Sequence, residues 1–479
     1  MSFGCTKFCL CVLTAATAAT LAGCKVGPDY HGAPAVAPNA SHATAFHRAP
    51  QEITSTAPAV AAWWESLADP QLTRLIETAL AQSPDVRAAV ARLKQSRAGL
   101  REQQRNELPK TSASAAYLHA RLPSTSLGLG SVGLYNIGFD ATWEIDLFGG
   151  TRRAIEAASA EAEAVDADLA DTHVQLSAEV AQAYIDLRDR QQRIALVRQS
   201  AELEQQVLTL TQQRRAQGVA SDLDVERIRT QVENTRATMI PLDAQITESL
   251  DQLAVLTGKE PGALDAELAS VGPLPRLPET VAVSDPAAML KQRPDIRAAE
   301  WRLVSSNAQI GEQEAGWFPK LTLLGDLGFS AANPGHLVRT DNFMWIGAPL
   351  LQWNALDFGR TQAKVDQAKA GFEEAEAKYE STVLGALRDA NVALSRYGHQ
   401  RDNVVSLRNV EASATRAATL TQQRYRAGTT SALDWLDTER TRFSAEQSRI
   451  AGDAELIKDY VALQKSLGLG WRPPAAGAP

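Results

Sequence analysis

Mainly α, in two tandem structural repeats that together carry four strands of a membrane β-barrel and long paired helices: this is the fold class that the 479-residue sequence predicts. Three observations predict it. A repeat keeps one offset through most of the chain, two helical runs are far longer than a globular core, and four strand-length segments each have an apolar face.

The first residues are read as a targeting segment. Lys7 precedes an apolar stretch, Phe8 to Ala22, that is too short and too often broken by Thr to span a bilayer as a helix. It ends in Leu21-Ala22-Gly23-Cys24, which resembles the bacterial lipobox, so residues 1–23 are expected to leave as a signal peptide and Cys24 to take lipid. All four cysteines (Cys5, Cys9, Cys11 and Cys24) lie at or before that cut, which leaves no disulfide framework. Lys25, rather than Asp, follows the lipid site and resembles the signal for the outer membrane. Lipid chains make this end anchored to a membrane rather than spanning it. Residues 24–60 are rich in Pro, Ala, Ser and Thr and are expected to form an extended tether with no core of its own. The terminal residues 472–479 are expected to be similarly unstructured.

The repeat sets the frame for the rest. "SPDVRAA" at Ser83 returns as "RPDIRAA" at Arg293, Pro109 as Pro319, Phe148-Gly149 as Phe358-Gly359, and Gly218 as Gly428, always 210 residues on. Repeat 1 is assigned to 61–257, a connection to 258–285, and repeat 2 to 286–471. Each unit opens with a helix (84–108 and 294–318) that starts at a Pro, which suits a first helical turn. Two strand-like segments follow, about 112–121 and 135–147, then about 321–330 and 343–353. A long helical run comes next, 150–216 and 360–426. Gly218 and Gly428 stand where a C-cap wants glycine, and Ser221 and Ser431 can N-cap the returning helices, 222–256 and 432–467. A 67-residue helix would reach roughly 100 Å at 1.5 Å per residue. Val180, Leu187, Ile194, Ala201 and Leu208 recur every seven residues, with Leu176, Ala183 and Val197 on the companion seam. That spacing packs helices side by side, as a two-stranded hairpin or a larger ring.

"YNIGFDATWEIDLFGG" alternates along a strand. Tyr135, Ile137, Phe139, Ala141, Trp143, Ile145 and Leu147 fall on one face, and Asn136, Asp140, Thr142, Glu144 and Asp146 on the other. Segments of about ten residues can cross a bilayer with tilt, and Tyr135, Trp143, Phe343, Trp345 and Trp353 suit its interfaces. Four strands cannot close a barrel, and an open edge cannot sit in lipid. The barrel is therefore shared between copies, with eight, twelve or sixteen strands for two, three or four chains.

Composition excludes other classes. A net charge of −8 gives no basic footprint for nucleic acid. Seven histidines without metal-ligand spacing, and no phosphate loop or nucleophile elbow, give no sign of an enzyme, a metal site or a cofactor. Two binding-class readings remain, a passive exit duct and a lipid-anchored coiled-coil scaffold. The strands, which a scaffold does not need, separate them.

The lipobox followed by "KVGPDY", then "WWESLADPQL", "WEIDLFGG", "RPDIRAAE", "FPKLTL", "RYRAG" and "LQKSLGLGW", resembles the outer-membrane efflux lipoproteins. These are the TolC-like, NodT-type outer channels of tripartite pumps that pair with resistance-nodulation-division transporters. The resemblance implies a homotrimer with a twelve-stranded outer-membrane barrel and a twelve-helix periplasmic barrel. It also implies a passive gated duct for small molecules, delivered by an inner-membrane pump through a periplasmic adaptor. Gly218, Ser221, Gly428 and Ser431 would then mark the helix tips that meet the adaptor. "LDWLDTER" resembles the stretch that constricts the tunnel, which places Leu433, Asp437 and Arg440 at a periplasmic gate. Trp435 stands where smaller aliphatics are commoner in the family.

Overall fold

The computed structural model describes residues 25–41, 43, 45–48, 54–55, 61–121, 131–283 and 285–471. Cys24, the expected signal peptide and the 472–479 tail lie outside them. The repeat is visible in the order of elements. Repeat 1 carries α1 (Pro70–Gln82), α2 (Pro84–Arg105), β1 (Lys110–Arg121), β2 (Ser131–Ile145), α3 (Gly150–Ala216) and α4 (Asp222–Leu256). Repeat 2 carries α5 (Pro286–Gln292), α6 (Pro294–Glu314), β3 (Lys320–Ala331), β4 (Phe343–Gln352), α7 (Arg360–Arg426) and α8 (Ala432–Ser466). The chain divides into two compact units.

One unit comprises residues up to Pro34, Arg92–Asp166 and Ala298–Glu380. It holds a single antiparallel sheet in the order β1-β2-β3-β4, so the two hairpins join through β2 and β3. Gly138 lies opposite Gly328 at that join. A Cβ on Gly138 would fall 2.9 Å from the Leu327 carbonyl oxygen, so the close approach of the two strands requires glycine there. The hairpins end alike. The Trp143 indole donates to the Glu107 carbonyl at 2.9 Å, and Trp353, 210 residues on, donates to Trp317 at 2.9 Å.

β2 stops at Ile145, short of the expected Leu147. The Asp146 carboxylate turns away to accept the Arg152 amide at 2.9 Å, and Gly149 takes a φ of +83°, so 146–149 form the turn into α3. Leu147 therefore does not continue the apolar face. The opening helices are also shorter than expected. α2 ends at Arg105, and α6 at Glu314, where a 3₁₀ turn, Ala315–Trp317, completes the descent to Pro319.

The other unit comprises Ala35–Ala91, Ala167–Arg297 and residues from Ser381 onward. Here the seven-residue seam of α3 is core: Val180, Leu187, Ile194, Ala201 and Leu208 are buried, as are Leu176, Ala183 and Val197. The Asp69 side chain caps α1 by accepting the amides of Gln71 and Leu72, and its second oxygen accepts the Tyr184 hydroxyl at 2.9 Å. The 258–285 connection is packed rather than loose. Leu264 and Leu268 are fully buried, and α3 grips the backbone through Arg188 to Ser270 and Gln191 to Leu268, both at 2.7 Å. Among the described residues no helix is long and apolar enough to cross a membrane.

Candidate functional site

The two helix turns are built on the same plan. After α3, Gly218 takes a φ of +75°, and Val219 donates its amide to the Arg214 carbonyl at 2.9 Å. After α7, Gly428 takes +74°, and Thr429 donates to Arg424 at 2.9 Å. These left-handed glycines let the last helical carbonyls find donors. Ser221 and Ser431 then cap α4 and α8 in reciprocal boxes: each hydroxyl accepts an amide at 3.1 Å, from Asp224 or Asp434, and that Asp accepts the serine amide in return. The serine bonds hold both carboxyls below the usual carboxylate range. The aspartates complete the capping motif that the two serines begin. Val219 and Leu223 stand exposed at the first turn.

Just beyond the second turn lie the residues expected at the gate. Asp437 and Arg440 are an exposed pair, with Arg440 Nη2 2.6 Å from Asp437 Oδ1, one turn apart on α8. Leu433 is half-buried and packs against an apolar cluster that holds Val207, Leu208, Val225, Ile228, Val232 and Leu436. The same cluster receives Trp435, whose ring stacks on Tyr425 with centroids 5.1 Å apart while its indole donates to buried Glu439 at 3.2 Å. Its repeat mate is Val225, so the larger ring fills the tip core from one repeat only.

A second constellation sits where a loose tether was expected. Lys25–Pro34 belongs to the sheet unit and is clamped to it. Arg153, whose side chain is 1% exposed, donates to the Val26 carbonyl at 3.0 Å, the Gly27 carbonyl at 2.9 Å, Asp29 at 2.9 Å and Glu156 at 2.9 Å. Lys25 adds a 2.6 Å ion pair to Glu156, and Asn307 donates to the Pro28 carbonyl at 3.0 Å. Gly27, at φ +87°, lies so close to Gly311 that a Cβ would collide with its backbone. Arg153 holds the Asp29 carboxyl below its ordinary range, while burial pushes the Tyr30 hydroxyl up to about 12. The tether reading therefore fails for 25–34, because a buried guanidinium and a glycine seat fix the backbone.

Neither constellation has the makings of a metal centre, and among the described residues no group of His, Cys, Asp and Glu could hold an ion. Cys24, the expected lipid site, lies one residue before the described chain.

Comparison with known proteins agrees with this architecture. The sequence model described as Outer membrane efflux protein matches twice, over residues 75–259 and 286–469, one match for each repeat. Outer membrane protein OprJ of Pseudomonas aeruginosa is 30% identical over 459 residues, covering 95% of this chain and 94% of its own. The antibiotic efflux pump outer membrane protein ArpC of Pseudomonas putida is 30% identical over 473 residues, covering 95% of each. Among solved structures, the outer-membrane channel OprN superposes with a TM-score of 0.87 at 34% identity, covering 94% of this chain and all of that one. The function that follows is efflux through the outer membrane. With both repeats matched and nearly its whole length aligned, the chain belongs to the outer membrane efflux protein family.

Proposed function

We propose that three copies join their sheets into one twelve-stranded barrel in the outer membrane, and their long helices into a twelve-helix periplasmic tunnel. The observation that carries this is the pair of open edges. Among the described residues β1 and β4 each have a neighbour on one side only, and β4 exposes Phe343, Trp345, Ile346, Leu350 and Leu351. Unpaired amides and carbonyls cannot remain in hydrocarbon, so the edges must be closed by strands of other copies. The number three rests on the family resemblance. The assembly is a passive gated exit duct with no catalytic step. An inner-membrane pump loads it through a periplasmic adaptor, which meets the tips at Gly218, Ser221, Gly428 and Ser431. Cys24 carries the lipid anchor. The name of ArpC favours antibiotics as one class of cargo. Native mass measurement of detergent-purified protein is expected to give a trimer that conducts ions in planar bilayers. A monomer, or a trimer that does not conduct, would overturn the reading.

The lipid is expected to anchor the trimer without building it. Cys24→Ala, exported by a replacement signal peptide, should still give trimers that enter membranes. Loss of all trimer would make the lipid structural.

The gate reading rests on the exposed Asp437–Arg440 pair and on half-buried Leu433, one turn before it on α8. An exposed i,i+3 pair is worth only about 0.3–0.5 kcal/mol, so it is easily exchanged. In three copies near one axis the carboxylates repel unless held aside, and the closed ring then depends on Arg440. Arg440→Ala and Asp437→Ala should each raise single-channel conductance, with cation preference falling mainly in the aspartate variant. Leu433→Ala should add to either effect. If all three variants conduct like the parent protein, the constriction lies elsewhere.

A further inference from the structure

Each chain carries a pattern for the joint between chains. β2 and β3 belong to different repeats, and they pair antiparallel, with Asp140 opposite Asp326, Phe139 opposite Leu327 and Trp143 opposite Leu323. β4 is the mate of β2, 210 residues on, and β1 is the mate of β3, 210 residues back. The outer strands of the sheet are therefore second versions of the two strands that already join within the chain. Carrying the β2–β3 pairs over to β4 and β1 sets Leu350 opposite Ala116, Pro349 opposite Tyr117 and Trp353 opposite Ala113.

The carried pairs fit in size. Leu350 meets Ala116, Ile346 meets Ala120 and Leu118 meets Ala348 on the face of Asp326; Leu351 meets Ala115, Trp353 meets Ala113 and His119 meets Gly347 on the other. Each sets a bulky side chain against Ala or Gly, and all the bulky ones are exposed in the single chain. Sliding one strand by two residues is the smallest shift that keeps every side chain on its face. It brings Leu118 against Leu350 in one direction and against Ile346 in the other, and leaves Ala348 facing alanine in both. The seam between copies also lacks the repulsion of the in-chain joint. Like charges directly opposite destabilise a sheet, and the mates of Asp140 and Asp326 are Leu350 and Ala116. Two details differ between joint and seam. Gly138 and Gly328, which meet closely within the chain, have Ala348 and Leu118 as mates, so the seam keeps an ordinary strand spacing of about 4.7–4.9 Å there. Pro349 has no amide to give to either neighbour, so the ladder has one bond fewer at that level.

We propose that β4 of one copy pairs antiparallel with β1 of the next in this register, with Leu350 opposite Ala116. The partner is a second copy of this chain, recognised by large side chains on one edge that fall against small ones on the other. The register rests on the barrel reading and goes beyond it, since it names the residues that meet and holds for any number of copies. It also gives the barrel two kinds of joint. The facing carboxylates stand where one chain holds its own strands together, and apolar pairs stand where separate chains associate.

The test is thiol bridging in outer membranes. The background is the full chain with Cys24→Ala and a replacement signal peptide, which has no cysteine once that peptide is cut. Directly opposite Cβ atoms lie about 4.5–5.5 Å apart and diagonal ones about 7–8 Å, and a disulfide needs about 3.5–4.5 Å. Oxidation, or a one-carbon bis-thiosulfonate bridge, therefore favours the pair in register. Leu350→Cys with Ala116→Cys is expected to give covalent oligomers on a denaturing gel, at least about tenfold more than Leu350→Cys with Ser114→Cys or with Leu118→Cys. These positions lie on opposite outer strands of one sheet, so the bond joins two copies. Ile346→Cys with Ala120→Cys gives the same reading if the first variant fails to assemble. Stronger bridging in a shifted pair, or none in either expected pair of protein that native mass shows to be assembled, would overturn the register and leave the barrel reading standing. A monomeric parent protein would overturn both.

Discussion

Arg153→Ala is expected to release Lys25–Pro34 from the sheet unit and to lower its stability by about 3–5 kcal/mol. The estimate follows from the bonds that are lost. Val26 and Gly27 each give a backbone carbonyl to a guanidinium that is itself buried, and hydrogen bonds to charged groups are worth about 1.5–3 kcal/mol each. The Asp29 contact is discounted, because that side chain is 70% exposed and an exposed pair contributes about 0–1 kcal/mol. Glu156 keeps Lys25 as a partner and adds little to the loss. Arg153→Lys should recover only part, since one ammonium cannot replace the planar fork that spans two carbonyls and a carboxylate. Hydrogen exchange on the detergent-purified protein reads this directly: amides from Val26 to Tyr30 should exchange much faster in Arg153→Ala, and hardly faster in Asp29→Ala. Unchanged protection in Arg153→Ala would mean that the glycine seat alone holds the segment. The clamp also bears on the proposed lipid anchor, because Cys24 immediately precedes the fixed backbone.

Most of the architecture was legible because the repeat is legible. One offset of 210 aligned prolines, glycines and capping serines, each of which has a local conformational meaning independent of tertiary context. The long helices, the two turns and the four strands follow from those signals, and the seven-residue seam of α3 is buried as its spacing predicts. The misses have physical causes. Leu147 continued the alternation on paper, but Asp146 prefers a backbone amide of the next helix to a place in the ladder. The 25–34 segment has the composition of a tether, and composition cannot register one arginine arriving from a helix more than a hundred residues away.

Phe139→Arg is expected to cost about 2–4 kcal/mol per chain, the cost of a cation on the lipid face near mid-bilayer. Phe139 is 60% exposed and lies opposite Leu327, which in turn lies opposite Trp345. With Ile137 and Trp143 on the same side of β2, these residues form an apolar surface that water does not favour. The other side of the strand is different. Asp140 lies opposite Asp326, and Glu144 is paired with Lys320 at 2.9 Å. An arginine at Thr142 would join those carboxylates, so Thr142→Arg should assemble almost as well as the parent protein and lower its cation preference. A cost of about 2–4 kcal/mol lowers the folded-to-unfolded ratio by roughly 30- to 900-fold at about 1.36 kcal/mol per decade, and three chains in one barrel would multiply it. Folded trimer recovered from outer membranes should therefore fall sharply for Phe139→Arg, remain near normal for Phe139→Leu, and change little for Thr142→Arg. Equal recovery of the two arginine variants would mean that the apolar face meets water, and the bilayer assignment of the sheet would fall with it.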